Sequence, residues 1–176
     1  MPRKDNSFKE YLFVDGYNII NFWEDLKQKA NISLEEARKD LIEIMVEYHH
    51  FTGIEVIVVF DAHLVKNNMG QEYSYKGIDI VYTKELETAD HYIESKLDEL
   101  GRVKRIRVAT SDWLEQQIVL SRGGTRISAR ELEMEIKRNK QVVDNRRKDL
   151  ALKSDTELNS LDEKTLEILN KISKNL

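Results

Sequence analysis

The chain has 176 residues, of which 40% are hydrophobic and 34% are charged, and its formal net charge is −4. This length predicts about one globular domain, and the composition excludes an intrinsically disordered protein. The longest apolar run, at residues 56–60, is far shorter than the roughly 20 residues that cross a bilayer, and residues 1–10 contain no signal-like apolar stretch. We therefore expect a cytoplasmic protein without a membrane partner. The acidic total argues against a general polyanion binder.

The sequence contains no cysteine, which excludes disulfides and thiolate metal sites. A metal ion would therefore need oxygen or histidine ligands. The Gly-rich loops that bind nucleotide phosphates are also missing from the sequence, so we expect no nucleotide cofactor.

Strand and helix patterns alternate along residues 11–149, which predicts an α/β fold. The expected architecture is a single-domain three-layer sandwich with a mostly parallel central sheet of about five strands. Strands are predicted at 11–14, 55–60, 78–82, 105–109 and 125–127. Helices are predicted at 23–30, 34–52, 89–100, 113–121 and from 129 to about 149.

Two stretches interrupt this alternation. Residues 64–77 lose their apolar period and predict a long loop, which in a compact domain is usually functional or disordered. Polar residues at 154–160 predict a break before a C-terminal amphipathic helix. The expected organisation is a flexible N-terminus (1–9), a catalytic domain (10–150), and a linker with a C-terminal helix (151–176).

Acidic residues recur where predicted strands end and helices begin. Asp15, Asp61 and Asp112 follow strands, whereas Glu87 and Asp90 lie at the start of a helix. Because the carboxyl ends of parallel strands meet at one edge of a sheet, these carboxylates should converge there. Each one alone could be a turn residue or a helix cap, but together they would repel one another without a compensating cation. The pattern predicts a Mg²⁺ or Mn²⁺ site.

A carboxylate-bound cation of this kind suits phosphodiester hydrolysis. Asn18, three residues after Asp15, could orient a phosphate or a water molecule, or could be a turn residue. Ser111, next to Asp112, could also contact substrate, although helix capping is its simpler role.

Five segments resemble, in order, the YacP-like branch of the NYN domains, which are relatives of PIN-domain nucleases. They are VDGYN at 14–18, VFDAH at 59–63, ETAD at 87–90, ATSD at 109–112 and SAREL at 128–132. The resemblance covers residues 11 to 148 and implies a metal-dependent endoribonuclease. Some members of that branch act on messenger RNA in association with the ribosome, so mRNA and the ribosome are expected partners.

Matched position by position, the resemblance assigns Asp15, Asp90 and Asp112 to the metal ion. Asp61 and Glu87 match further motif positions and are expected to assist catalysis. These five carboxylates form the predicted catalytic set.

A single-stranded RNA site also needs cations along the phosphate chain. The expected contacts, besides Asn18 and Ser111, are Lys66, Lys84, Arg126 and Arg130. Ordinary surface charge explains each cation alone, except Arg130, which lies in a first helical turn where a cation is unfavourable. A non-catalytic RNA- or ribosome-binding module is the alternative hypothesis, and DNA cleavage is a third.

Overall fold

The computed structural model describes residues 9–64, 70–100 and 105–173, except for the side chains of residues 64, 155–163, 169 and 171–173. It confirms the α/β class, with one mostly parallel sheet and helices on both faces. The strands are β1 (Glu10–Asp15), β2 (Glu55–Phe60), β3 (Gln71–Tyr75), β4 (Ile78–Tyr82), β5 (Arg105–Ala109) and β6 (Thr125–Ile127). The helices are α1 (Gly16–Phe22), α2 (Glu24–Ile32), α3 (Leu34–Thr52), α4 (Ala89–Leu100), α5 (Trp113–Ser121) and α6 (Ala129–Ser173).

The six strands lie in the order β3-β4-β2-β1-β5-β6, and β3 alone is antiparallel to its neighbour. Strand β1 is flanked by β2 on one side and by β5 on the other, so the chain changes direction across the sheet at β1. Ligands of open α/β sheets bind outside the carboxyl ends of the strands at such a point. The topology therefore selects the end of β1 as the place to look for a site.

Two hydrophobic cores cover the two faces of the sheet. Helices α1, α2 and α3 and the start of α6 pack on one face, and α4 and α5 pack on the other. In β1, Leu12 and Val14 point into the first core and Phe13 points into the second. Burial on both sides explains why the central strands read as continuous apolar runs rather than as alternating patterns.

Two of the predicted helices begin with capping contacts. The Ser33 hydroxyl accepts a hydrogen bond from the Glu36 backbone N–H at 3.3 Å, at the start of α3. At the start of α6, the Glu131 N–H donates to the Ser128 hydroxyl at 3.2 Å, and the Ser128 N–H donates to the Glu131 carboxylate at 2.7 Å. This reciprocal pair satisfies two backbone donors that the helix leaves free.

The prediction of a long loop over residues 64–77 is wrong for its second half, where β3 lies and forms a hairpin with β4. Its two turn residues, Lys76 and Gly77, have φ angles of 46° and 92°, as a two-residue hairpin turn requires. The side chains of residues 71–74 are exposed, so this edge strand carries no apolar alternation that a pattern search could detect. Residues 65–69 lie outside the described chain.

Two helix predictions also need correction. The helix expected at 23–30 is observed as α2, but α1 precedes it, which the sequence patterns do not predict. The break expected at 154–160 is absent from the described backbone, because α6 is continuous through it. That helix contains neither glycine nor proline, and polar residues alone do not end a helix.

The chain divides into two units. The first, Met1–Ile136, contains the sheet and its helices, and the second, Lys137–Leu176, contains the rest of α6. The functional boundary expected near residue 150 stays a prediction. Within the described chain, no helix is both long enough and apolar enough to cross a membrane.

Gly16, directly after Asp15, lies in close contact with the end of β2. A Cβ atom built on Gly16 would lie 2.4 Å from Cε1 of Phe60 and 3.0 Å from the carbonyl oxygen of Val59. Because a ring and a backbone atom would both have to move, we expect Gly16→Ala to lower the free energy of unfolding by about 1–3 kcal/mol, as overpacking does. Urea denaturation measures this change.

Phe60→Leu provides the control for that substitution. The smaller side chain should make room for the new methyl group, so Gly16→Ala should cost less in the Phe60→Leu background than in the wild type. An equal cost in both backgrounds would show that the Phe60 ring is not the obstacle.

Candidate metal-binding site

Three carboxylates from three different elements meet at the carboxyl edge of the sheet. Asp15 ends β1, Asp90 lies in the first turn of α4, and Glu115 lies in the first turn of α5. One oxygen atom from each side chain lies within 4.8 Å of the others, a spacing that would allow all three to contact one cation. We call these residues the three-carboxylate cluster.

Asp15 is held in place as the N-cap of α1, where its Oδ1 atom accepts a hydrogen bond from the Asn18 N–H at 3.4 Å. Burial raises the pKa of Asp15 to about 7, and the carboxylates of Asp90, Asp61 and Asp112 add to the rise. The hydrogen bond from Asn18 offsets only part of it. The fold therefore places an acid where its charged form is strongly disfavoured.

Glu115 is the most unusual member of the cluster, because its side chain is only 2% exposed. Neither of its carboxylate oxygens has a hydrogen-bond donor among the described residues, although its side chain lies within hydrogen-bonding reach of the Asp90 carboxyl. Burial, followed by the Asp15 charge, raises its pKa to about 8, and the nearby Thr110 side chain offsets part of this rise. A buried polar group is normally paired, so this carboxylate without a donor fits a site that receives a cation.

Asp90 is half-buried, and burial followed by the Asp112 charge raises its pKa. Asp112 itself is exposed and caps α5, where its Oδ1 accepts hydrogen bonds from the N–H groups of Leu114 at 2.8 Å and Glu115 at 3.2 Å. Asp112 thus lies beside the cluster and fixes the backbone that carries Glu115.

Asp61, at the end of β2, reaches the same edge. Its carboxylate accepts a hydrogen bond from the His63 N–H at 2.8 Å and is among the charges that raise the pKa values of Asp15 and Asp90. Of the five predicted acids, the structure thus brings Asp15 and Asp90 into the cluster and places Asp61 and Asp112 next to it.

Glu87 is not brought into the cluster. Its Oε2 atom accepts a hydrogen bond from the Lys84 backbone N–H at 3.3 Å, and its carbonyl oxygen accepts one from the Thr83 hydroxyl at 2.6 Å. Glu87 therefore shapes the loop between β4 and α4. The expectation that Glu87 assists catalysis stays a prediction.

Asn18 and Ser111 connect neighbouring parts of the edge. The Ser111 N–H donates to the Asn18 side-chain oxygen at 2.7 Å, and the Ser111 hydroxyl accepts from the Ala129 N–H at 3.0 Å. These contacts join α1, the end of β5 and the start of α6. Both side chains thus hold these three elements together at the carboxyl edge of the sheet.

Of the predicted phosphate-binding cations, those that the structure describes form no ion pair with the three-carboxylate cluster. Lys84 follows β4 and is exposed, and Arg130 is exposed in the first turn of α6. Arg126 is 3.6 Å from the Glu131 carboxylate. Lys66 lies outside the described residues. Among the residues that are described, no lysine or arginine forms an ion pair with any cluster member.

The sequence patterns do not single out Glu115 as a site residue, because its spacing from Asp112 is typical of a helix cap. The signal that could have identified it as a site residue is its spacing from Val119, four residues later, because the two side chains share the buried side of α5. An acid on the buried side of a helix is rare unless it is paired or functional.

The fold and its acidic edge are those of a domain with a PIN-like fold. The model of the YacP-like NYN domain family matches residues 12–174, and the chain belongs to this family. It is 44% identical over 138 residues to Uncharacterized protein YacP of Bacillus subtilis (strain 168), covering 78% of this chain and 81% of that protein.

Two solved structures are similar to this fold. The crystal structure of Rae1 (YacP) from Bacillus subtilis has a TM-score of 0.69 and 40% identity, covering 93% of this chain and 94% of that chain. The crystal structure of a mutant of that same Bacillus subtilis protein has a TM-score of 0.71 and 40% identity, covering 81% of this chain and 84% of that chain.

The raised pKa values predict how pH affects the metal-free protein. The ordinary pKa values of Asp15 and Glu115 are 3.8 and 4.5, and folding raises them to about 7 and about 8. The stability that these groups contribute is fully present below about pH 4 and falls as pH rises. The loss is complete above about pH 7 for Asp15 and above about pH 8 for Glu115. At pH 8 in EDTA, Asp15→Asn should therefore be more stable than the wild type by about 1–3 kcal/mol, measured by urea denaturation.

Asparagine keeps an oxygen that can cap α1, so this substitution removes the charge without removing the cap. The advantage of Asp15→Asn should shrink at pH 5, where the wild-type acid is protonated. Asp25→Asn, at an exposed acid in α2, is the matched control and should show no such trend. An Asp15→Asn advantage that is the same at pH 5 and pH 8 would show that ionisation of the Asp15 carboxyl does not cause it.

Proposed function

We propose that this protein is a divalent-metal-dependent endoribonuclease that cleaves single-stranded RNA. The observation that carries the proposal is the three-carboxylate cluster, and above all the buried Glu115, which has no hydrogen-bond donor among the described residues. Membership in a family with a PIN-like nuclease fold supports it. A site built only for phosphate binding would be hindered by this concentration of acids.

Asp15, Asp90 and Glu115 would hold the cation. An all-oxygen ligand set suits Mg²⁺ or Mn²⁺ rather than a soft metal. When bound, the cation supplies Lewis-acid chemistry, which favours hydrolysis by activating water and neutralising charge at the phosphate.

The chain's own residues keep the ligands in place. Asp112 fixes the first turn of α5 and with it Glu115, while Asn18 joins α1 to the loop after β5. Asp61, which reaches the edge from β2, would accept a hydrogen bond from an attacking water molecule or a substrate hydroxyl. Glu87 is proposed to assist indirectly, by shaping the loop that leads to Asp90.

Single-stranded RNA is the proposed substrate because its sugar–phosphate chain and unstacked bases can lie along an open sheet edge. Lys84, Arg126 and Arg130 remain proposed phosphate contacts. Messenger RNA and the ribosome are proposed as substrate and partner on family resemblance alone.

Cleavage of an end-labelled single-stranded RNA tests the proposal. We expect the wild-type protein to cleave with Mg²⁺ or Mn²⁺ and to lose activity in EDTA. Asp15→Asn, Asp90→Asn and Glu115→Gln should each reduce the cleavage rate by about 100-fold or more, because each removes a charged ligand. Glu87→Gln should reduce it by less than about tenfold, because that side chain bonds to the backbone outside the cluster.

The contrast between Glu115 and Glu87 uses the same chemical change at two glutamates, and Asp25→Asn again provides an exposed control. Equal cleavage by wild type and all three cluster variants would contradict the proposal. RNA binding without cleavage by any form would favour the non-catalytic binding module. Equal activity on the matching deoxy substrate would indicate a nuclease without RNA preference.

A further inference from the structure

Arg38 lies at the same end of the sheet as the acids, although it belongs to a different element. Helix α3 ends close to the start of β2, so its first turns lie towards the carboxyl ends of the strands. Arg38, in the second turn, donates a hydrogen bond from Nη1 to the Tyr17 hydroxyl at 3.1 Å. Tyr17 is only two residues after Asp15 and packs on Phe60, the residue before Asp61.

Most N–H groups of the Arg38 guanidinium have no hydrogen-bond acceptor within the described chain. It carries five N–H donors, yet the described structure gives it a single acceptor, which is a neutral hydroxyl. Its nearest helical acid, Glu35, pairs with Lys39 at 3.0 Å instead. Within the described chain, Arg38 forms no ion pair.

Two other arginines of the described chain are half-buried, and both are paired. Arg107, 19% exposed in its side chain, contacts Glu135 at 2.8 Å, and Arg122, 31% exposed, pairs with Glu94 and Asp98. Arg38 is also half-buried but lacks a carboxylate. Partly buried charges are usually paired, so an unpaired one beside a candidate site suggests an anionic ligand from outside the chain.

We propose that Arg38 binds a phosphate of the RNA strand next to the phosphate that is hydrolysed. This inference rests on the proposed function and adds a substrate contact to it. The planar guanidinium matches the geometry of two phosphate oxygens, and the Tyr17 hydroxyl orients it by accepting one of its N–H groups. Because the acids at this edge repel RNA, a nearby cation is needed to hold the strand.

Equilibrium binding of a fluorescein-labelled single-stranded RNA tests the proposal. The full chain is used with Asp15→Asn and Mg²⁺, so that cleavage does not interfere, and KCl is varied. We expect Arg38→Met to weaken binding about tenfold and to reduce the slope of log K against log salt by about 0.7, the value for one phosphate contact on a single strand. Arg38→Lys should keep that slope but bind more weakly than arginine, because it loses the second hydrogen bond.

Arg122→Met is the matched control, since it removes the same charge at the far end of α5 from a guanidinium that already has carboxylate partners. It should leave the salt slope unchanged. Tyr17→Phe keeps the ring on Phe60 and removes only the oriented hydroxyl, so it should weaken binding less than Arg38→Met.

Unchanged affinity and slope in a folded Arg38→Met protein would overturn the inference, as would failure of the Asp15→Asn chain to bind RNA at all. If Arg38→Met does not fold, the Arg38→Lys variant tests the inference. An affinity equal to that of arginine in this variant would overturn the contact between the guanidinium and two phosphate oxygens. Arg38-dependent binding without wild-type cleavage would refute the proposed function alone. Wild-type cleavage with unchanged binding by Arg38→Met would refute this inference alone.

Discussion

The burial of several like-charged side chains at one edge of the sheet is the main electrostatic constraint in this structure. The carboxyl edge of the sheet gathers Asp15, Asp90 and Glu115 so closely that one oxygen from each fits within 4.8 Å. Burial, followed by the charges of neighbouring acids that include Asp112, raises their pKa values, and folding the metal-free chain at neutral pH works against both effects. A functional site accepts such a cost when a ligand relieves it.

The treatment of charge elsewhere in the chain makes this concentration informative. Arg107, Glu135 and Tyr48 form a partly buried network in which the Tyr48 hydroxyl donates to Glu135 at 2.6 Å and Arg107 binds the same carboxylate. The fold therefore pairs buried charges where they serve only packing. Glu115 and Arg38 depart from that pattern at the same end of the sheet, which is why a cation and a phosphate are their proposed partners.

Most of the fold can be predicted because the sequence carries local signals for it. Apolar runs mark β1 and β2, mostly apolar segments mark β4 and β5, and capping residues such as Ser33 and Ser128 mark helix starts. Strand β3 cannot be found this way, because an exposed edge strand needs no apolar face. The length of α6 is also hidden, because a polar segment resembles a break although only glycine or proline strongly disfavours a helix.

The candidate site is predictable to a similar extent. Asp15 and Asp61 follow directly from parallel topology, since residues after parallel strands share an edge. Which helix residues turn towards that edge depends on helix rotation, which strand patterns do not specify. For that reason the sequence directs attention to Glu87, whereas the structure places Glu115 beside Asp15 and Asp90.

The proposed site holds one divalent cation between these three carboxylates. Crystals of the full chain soaked in Mn²⁺ would locate that cation through anomalous scattering from the metal. We expect a strong anomalous peak within about 2.0–2.3 Å of an oxygen of Asp15, Asp90 and Glu115, as is usual for Mn²⁺ bound to oxygen. Saturating Mn²⁺ with no peak there, or with Glu115 still unliganded, would contradict the claim.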